Sequence, residues 1–299
     1  MSAQGPYAGH AVFVAPARTH AQVWRLALGI LLAASAYFTL SLLYFQVIAA
    51  LSHSLVPGLA RDLRRGETPL AMYLMLGSFG FMSLGVWLSL RLLHRRGFLS
   101  VLGPMPLFLA DFRAVALGVV AVTAVVVVLP PWDMGGPFVP NMPLGQWLLL
   151  LLPSLAFVLI QTSAEEIVFR GYLQQQLAAR FRSPLVWMLL PSALFAAGHY
   201  MPATAGENAL LLVLWAGVFG LLMADLTARS GSLGPAIAIH FLNNVSAIVF
   251  VSMPGDLSGL ALYHAPFSMQ DAAALRAWMP VDFAMMVVLW LVARVAIRR

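Results

Sequence analysis

The stretch AEEIVFRGYLQ, residues 164–174, places two carboxylates and an arginine at the end of a long apolar run. On a helix, Glu166 and Arg170 are four residues apart and share a face, in the order that favours an ion pair. Glu165 is expected to point elsewhere, which leaves its carboxylate available as a general base. An equally open alternative is that both glutamates serve one structural network around Arg170.

Two further segments carry polar side chains at helical spacing. FAAGH puts Phe195 and His199 four residues apart, and HFLNN puts His240 and Asn244 four residues apart on one helix face. A lone histidine in an apolar helix is more often a packing residue than a catalyst. Polar groups at membrane depth usually face the protein interior and mark function, so the motifs together favour a site.

The chemistry that these side chains fit is peptide hydrolysis. That reaction needs an activated water, a group that handles its protons, and donors that hold the developing oxyanion. Glu165 can act as general base, His199 can bind the water and pass a proton to the leaving amine, and His240 with Asn244 can donate to the oxyanion. A zinc-dependent alternative also fits, because one carboxylate and two histidines, Glu165, His199 and His240, leave one position open for water.

The elements that must position these residues are membrane helices. The chain is 61% apolar and 9% charged, whereas a soluble protein is about 25% charged. We therefore predict an all-α integral membrane protein, with about eight transmembrane helices in one bundle around an intramembrane catalytic cavity. The predicted spans are approximately 24–52, 69–93, 113–132, 145–169, 184–201, 208–228, 232–253 and 279–296.

The predicted organisation has four parts. Residues 1–23 form a cytoplasmic, poorly ordered tail, 24–132 hold three transmembrane helices, 145–253 hold a catalytic core of four, and 254–299 hold a loop and the last span. A short helix is expected in that loop at 270–278. A hairpin that turns near Arg182 would bring Glu165 and His199 to similar depth, because each lies 17 residues from the turn.

The charged residues predict orientation and exclude several classes of function. All 17 basic residues are arginines, and the positive-inside rule then places both termini in the cytoplasm, as in a multi-pass bacterial inner membrane protein. Asp225 and Arg229 are expected to form a local ion pair. Cysteine is absent, which excludes disulfides and a cysteine nucleophile. The basic balance fits contact with anionic lipid, so no nucleic-acid partner is predicted.

The three motifs, taken in order, resemble the signatures of the type II CAAX prenyl endopeptidases and their bacterial relatives. This group is also called the CAAX protease and bacteriocin-processing family, and includes Abi-like intramembrane proteases. The matching core covers about 145–253. The motifs that carry the resemblance are Glu165-Glu166-x-x-x-Arg170, Phe195-x-x-x-His199 and His240-x-x-x-Asn244.

The resemblance implies an eight-helix intramembrane endopeptidase that acts on a peptide or lipidated protein substrate at the lipid bilayer, with CAAX-type C-terminal processing as one expectation. The residues that match the family's catalytic site are Glu165, His199, His240 and Asn244, and those in supporting positions are Glu166, Arg170 and Phe195.

Members of that family are described both as metalloproteases and as glutamate-dependent enzymes without metal. We expect no cofactor, with zinc held by Glu165, His199 and His240 as the alternative, because the neutral Asn244 suits an oxyanion donor better than a zinc ligand. Two other functions stay open. The buried cluster would also suit an ion-coupled or proton-coupled transporter, or a membrane immunity or binding protein that cuts nothing. The sequence predicts no oligomeric state.

Overall fold

The computed structural model describes residues 5–56, 58–129, 135–255 and 257–298. Within these ranges the regular secondary structure is helical apart from three short strands, which confirms the predicted all-α class. The end of the predicted segment 24–132 lies outside the described residues. The α-helices are α1 (Ala8–Val14), α2 (Val23–Leu55), α3 (Leu59–Arg65), α4 (Pro69–Ser78), α5 (Gly80–Leu92), α6 (Met105–Val128), α7 (Leu144–Glu166), α8 (Gln175–Arg180), α9 (Pro184–Ala197), α10 (Pro202–Ala205), α11 (Ala209–Ser230), α12 (Gly234–Val245) and α13 (Ala272–Ile297).

Other helical turns and a small sheet complete the described secondary structure. The 3-10 helices are Ala15–His20, Phe98–Val101 and Gly206–Asn208, and the π-helices are Ile167–Gln174 and Ser246–Phe250. The strands are β1 (Val139–Pro140), β2 (Val251–Ser252) and β3 (Tyr263–His264). β3 lies between the other two, antiparallel to β1 and parallel to β2. The sheet therefore ties the segment after α12 to the segment before α7.

Six helical stretches in the described ranges are long and apolar enough to cross a membrane, so the chain is a multi-pass integral membrane protein. Two predicted spans, 184–201 and 232–253, coincide with shorter apolar helices at Pro184–Ala197 and Gly234–Phe250. The predicted count of eight crossing helices is therefore not confirmed. The six longer stretches are Val23–Ser52, Pro69–Leu92, Met105–Val128, Leu144–Arg180, Pro202–Ser230 and Ala272–Ile297.

The short helix α12 lies at the centre of the protein. All residues from Gly234 to His240 are buried, and α12 packs against α6, α7 and α11. A Cβ atom at Gly234 would lie 2.4 Å from the carbonyl oxygen of Phe108, so only glycine lets α12 begin this close to α6. Pro235 in the first turn costs no intrahelical hydrogen bond, because those amides have no partner in the helix. The sequence thus carries His240 directly into the core.

The predicted hairpin near Arg182 is confirmed. The helical stretch that contains α7 and α8 ends at Arg180, and α9 begins at Pro184 after three non-helical residues. Pro184 starts the helix in the first turn, where proline is well tolerated. α9 ends at Ala197, earlier than the predicted span, and His199 lies in the turn that follows.

The prediction of a poorly ordered N-terminal tail is wrong for the described part of that segment. α1 packs against α8 and α11, and the side chain of Phe13 is 1% exposed. Gln175 Nε2 donates to the carbonyl oxygen of Phe13 at 2.6 Å, and the hydroxyl of Tyr7 donates to Asp225 at 2.9 Å. Phe13 and Val14 of this short helix are buried in a hydrophobic cluster of the protein, so tertiary packing overrides its small size.

The short helix expected at 270–278 is also wrong as a separate element. Residues 272 onward belong to α13, which runs without interruption to Ile297. The carboxylate of Asp271 caps the helix by accepting from the amide of Ala274 at 3.1 Å. Leu275 and Met279 are buried, so the first turns already contribute to the core. Packing of these apolar turns makes the last helix longer than the predicted span.

Candidate active site

The base of the site is a fully buried ion pair on the helix that contains α7. Arg170 Nη1 donates to Glu166 Oε1 at 3.0 Å, and both side chains are 0% exposed, which confirms the predicted pair. The guanidinium carbon of Arg170 also lies 4.6 Å from the ring centroid of Phe195. A buried carboxylate without a partner would be strongly unfavourable, so Arg170 lets Glu166 stay ionised inside the protein.

His240 lies between the two adjacent glutamates. Its Nδ1 is 2.8 Å from Glu166 Oε1, and its Nε2 is 3.4 Å from Glu165 Oε2. Glu165 thus lies off the face that Glu166 shares with Arg170, as expected, and its contact with His240 brings it into the same cluster. The side chains of successive helical residues point in directions about 100° apart around the helix axis. The imidazole of His240 is wide enough for each of its two nitrogens to face one of the two glutamate carboxylates.

The helix does not continue as an α-helix beyond these glutamates. α7 ends at Glu166, and the next eight residues, Ile167–Gln174, form a π-helix that contains Arg170. A second π-helix, Ser246–Phe250, follows α12 directly after Asn244 and Val245. Short π segments inside helices occur often at functional sites, because they redirect side chains over a single turn. Both helices of the cluster therefore carry the same irregularity next to their polar residues.

His240 makes one hydrogen bond and one longer contact within this cluster. Its Nδ1 is hydrogen-bonded to Glu166, whereas its Nε2 lies 3.4 Å from Glu165 Oε2, an oxygen that has no hydrogen-bond partner among the described residues. If Nδ1 donates to Glu166, Nε2 can donate only in the doubly protonated ring. Glu165 thus keeps an acceptor oxygen that the described part of the protein does not use.

His199 is oriented by the end of its own helix. Its Nδ1 lies 2.8 Å from the carbonyl oxygen of Phe195, one of the last carbonyls of α9 that has no helical partner. A carbonyl can only accept, so Nδ1 carries the hydrogen and Nε2 is the acceptor in the neutral ring. The rings of His199 and His240 lie 4.5 Å and 6.0 Å from that of Phe195. Phe195 thus contacts both histidines, as its supporting role predicts.

Asn244 extends the site along α12. Its Nδ2 donates to Gln161 Oε1 at 2.9 Å, and its Oδ1 accepts from Asn243 Nδ2 at 3.3 Å. Gln161 was missed by the sequence reasoning. Its signal was available, because it is an amide in an apolar stretch, one helical turn before Glu165.

The structure joins some predicted site residues directly and others only through neighbours. Glu165, Glu166, Arg170 and His240 form one contiguous cluster. Within the described residues, His199 makes no ion pair with either glutamate, and no group of three histidine, aspartate or glutamate side chains lies close enough to hold a metal ion. This arrangement therefore does not assemble the alternative zinc set.

An apolar cavity of about 210 Å³ lies beside the cluster, between α2, α5 and the π-helix Ile167–Gln174. Val168, Tyr172 and Leu173 of that π-helix line it, facing Ala33 and Tyr37 of α2. None of the predicted catalytic side chains lines it. The cavity and the catalytic cluster are therefore separate features that share one segment of backbone.

Comparison with known proteins matches the same part of the chain. Residues 146–246 match the family described as Type II CAAX prenyl endopeptidase Rce1-like, a range that contains all the predicted catalytic and supporting residues. The chain is also 26% identical over 259 residues to Uncharacterized protein YyaK of Bacillus subtilis (strain 168), across 83% of this chain and 84% of that protein. No solved structure matches the chain. The resemblance predicted from the motifs is confirmed.

Proposed function

We propose that this chain, whose residues 146–246 form an Rce1-like type II CAAX prenyl endopeptidase domain, is an intramembrane endopeptidase that uses a water molecule activated by Glu165. The observation that carries the proposal is the position of His240 between Glu165 and Glu166, with Arg170 neutralising the second glutamate. Structural ion pairs need only two partners. Here a second carboxylate faces the other nitrogen of the same imidazole and has an oxygen without a hydrogen-bond partner among the described residues, an arrangement that suits acid–base chemistry.

The proposed reaction begins when the carbonyl oxygen of the scissile peptide accepts from His240 Nε2 and from Asn244 Nδ2. His240 then no longer bonds Glu165, whose carboxylate takes a proton from a water held by His199 Nε2. The hydroxide oxygen attacks the carbonyl carbon, and the two donors hold the resulting oxyanion. The carbon–nitrogen bond breaks as the leaving amine receives a proton through Glu165 or His199, which restores the site.

The proposed substrate is a peptide or a lipidated protein at the membrane, with CAAX-type removal of C-terminal residues as the specific form. The family of the domain supports this substrate class, and the polypeptide must reach a site on buried helices. We propose that no metal takes part, since the neutral Asn244 suits an oxyanion donor better than a zinc ligand and Nδ1 of His240 is already hydrogen-bonded to Glu166. We further propose that both termini face the cytoplasm of a bacterial cell.

The test uses purified protein in nanodiscs and a quenched prenylated peptide beside a panel of unprenylated membrane peptides. Wild type is compared with Glu165→Gln and with Glu207→Gln. Glu207 is a matched control, because its side chain is 81% exposed and pairs only at the surface with Arg276. Each protein is assayed with and without a chelator.

We expect Glu165→Gln to lose cleavage by at least about 100-fold, the lower range for a general base, while Glu207→Gln keeps it. Cleavage that survives the chelator supports the metal-free mechanism, and loss that zinc restores assigns the site to a metalloprotease. Full activity of Glu165→Gln would contradict the proposal. If wild type cuts no peptide but gives ion flux in liposomes, a transporter function replaces the proposed endopeptidase function. A protective phenotype that survives Glu165→Gln would instead indicate an immunity protein.

A further inference from the structure

Both the nitrogen and the oxygen of the Asn244 carboxamide make hydrogen bonds to other side chains. Its nitrogen donates to Gln161 Oε1 on α7, and its oxygen accepts from the neighbouring Asn243. Each amide nitrogen carries two hydrogens. With one hydrogen bound to Gln161, the second Nδ2 hydrogen of Asn244 is available in a fixed direction.

Gln161 connects this amide to the helix of the proposed general base. Gln161 and Glu165 are four residues apart in α7, so they share one face of the helix. Gln161 is 7% exposed, and loss of its partner would leave a buried amide oxygen unsatisfied. The hydrogen bond therefore fixes the distance between α7 and α12 at the level of the site.

We propose that Gln161 is a positioning residue that aims the Asn244 amide at the oxyanion. This proposal rests on the proposed function and deepens it. Gln161 does not touch the substrate. It acts through Asn244, whose second Nδ2 hydrogen points at the carbonyl oxygen only while Gln161 Oε1 holds the first.

The experiment is a double-variant cycle in the peptide assay, with Gln161→Leu, Asn244→Ala and the combination of both. Removal of one oxyanion donor typically costs about 100-fold to 1000-fold in kcat. We expect Asn244→Ala to fall in that range and Gln161→Leu to lower kcat about 10-fold to 100-fold, with KM within about threefold because the hydrogen bond from Asn244 strengthens chiefly as the oxyanion forms. In the combination, Gln161→Leu should add less than about twofold to the loss.

Two further variants separate positioning from general damage to the helix. Gln161→Asn keeps an amide acceptor without adding a charge beside Glu165 and should restore part of the kcat that Gln161→Leu loses. Thr162→Val is a matched control, because Thr162 is also buried on α7 but its hydroxyl bonds only within that helix, to Val158 and Leu159. We expect Thr162→Val to change kcat by less than about twofold, since no oxyanion donor depends on it.

Two kinetic outcomes would overturn the proposal: an equal loss from Gln161→Leu with and without Asn244, or a loss confined to KM. The side-chain amide resonances of Asn244, identified by their absence in Asn244→Ala, give a second readout that needs no catalysis. They should shift in Gln161→Leu and stay in place in Thr162→Val. Unshifted resonances reject the positioning role even if wild type cuts no peptide, whereas that lack of cleavage on its own counts against the proposed function.

Discussion

Replacing Arg170 by methionine tests whether the buried ion pair is the foundation of the site. Methionine fills a comparable space without charge, so the change leaves Glu166 buried with His240 Nδ1 as its remaining donor. The change also removes the contact between the guanidinium group of Arg170 and the ring of Phe195. Breaking a buried pair by removing one partner costs about 3–5 kcal/mol, and we expect the free energy of unfolding to fall by that amount.

The chain contains a matched control for this change. Asp225 and Arg229 form another largely buried ion pair at the same four-residue spacing. Arg229 Nε lies 2.8 Å from Asp225 Oδ2, and the side chains of Asp225 and Arg229 are 10% and 14% exposed. The predicted local pair is thus confirmed. If Arg229 is replaced by methionine, Asp225 keeps two donors at 2.9 Å, the hydroxyl of Tyr7 and the indole nitrogen of Trp290. We therefore expect a smaller loss, about 1.5–3 kcal/mol, the range for a hydrogen bond to a charged group.

The assay is reversible unfolding of both variants in mixed detergent micelles, followed by circular dichroism. Glu166→Gln combined with Arg170→Met should cost less than the sum of the two single changes, because neither charge is then left alone. Equal losses for Arg170→Met and Arg229→Met, or strict additivity in the double variant, would refute the reasoning. At temperatures where Arg170→Met remains folded, it should still cut peptides more slowly, since Glu166 no longer holds His240 in place.

Three other perturbations have defined outcomes. His199→Ala should lower kcat at least about 100-fold with little change in melting temperature, whereas His264→Ala, which touches only the small sheet, should keep activity in the same peptide assay. Burial lowers the pKa of His10 from 6.5 to about 4, so the unfolded chain binds a proton between these values and the folded chain does not. Wild type should therefore lose about 2 kcal/mol of stability from pH 8 to pH 5 through this group, and His10→Phe, compared with wild type by unfolding at both pH values, should not. Because the chain lacks cysteine, single Arg64→Cys and Ser183→Cys variants report orientation: an impermeant maleimide should label the first in intact cells and the second only after lysis, and the reverse pattern would invert the predicted topology.

The sequence identifies Glu165, Glu166, Arg170 and His240, which meet in the structure, but not all the contacts among them. The pair Glu166–Arg170 was predictable, because a four-residue spacing on a helix almost determines its partners. The hairpin near Arg182 was predictable from the break between two apolar spans, and similar depth for Glu165 and His199 was the consequence expected of it. The position of His240 between both glutamates was not predictable, because it depends on how α12 packs against α7 and not on any periodicity within one helix.

The remaining errors share one physical cause. Periodicity reports the average environment of a helix, and it is insensitive to single turns that depart from it. The π-helix Ile167–Gln174, sequence IVFRGYLQ, has no residue pattern that distinguishes a π-helix from an α-helix, and the additional residue per turn becomes visible only through its hydrogen bonds. The N-terminal α1 is too short for a periodic signal, yet tertiary contacts with α8 and α11 hold it. Tertiary packing thus determines local elements that the composition and periodicity of the sequence could not predict.

The position of His240 links the two halves of the proposed chemistry. A donor for the oxyanion and a base for the water are usually separate groups, but here Nε2 of His240 lies 3.4 Å from the carboxylate of Glu165. While that contact exists, the imidazole occupies the space beside Glu165 Oε2 that a water would need. In the proposed mechanism, a substrate carbonyl that accepts from His240 Nε2 draws the imidazole away from this oxygen when a water must be activated. The peptide would therefore switch on the base by binding to the oxyanion donors.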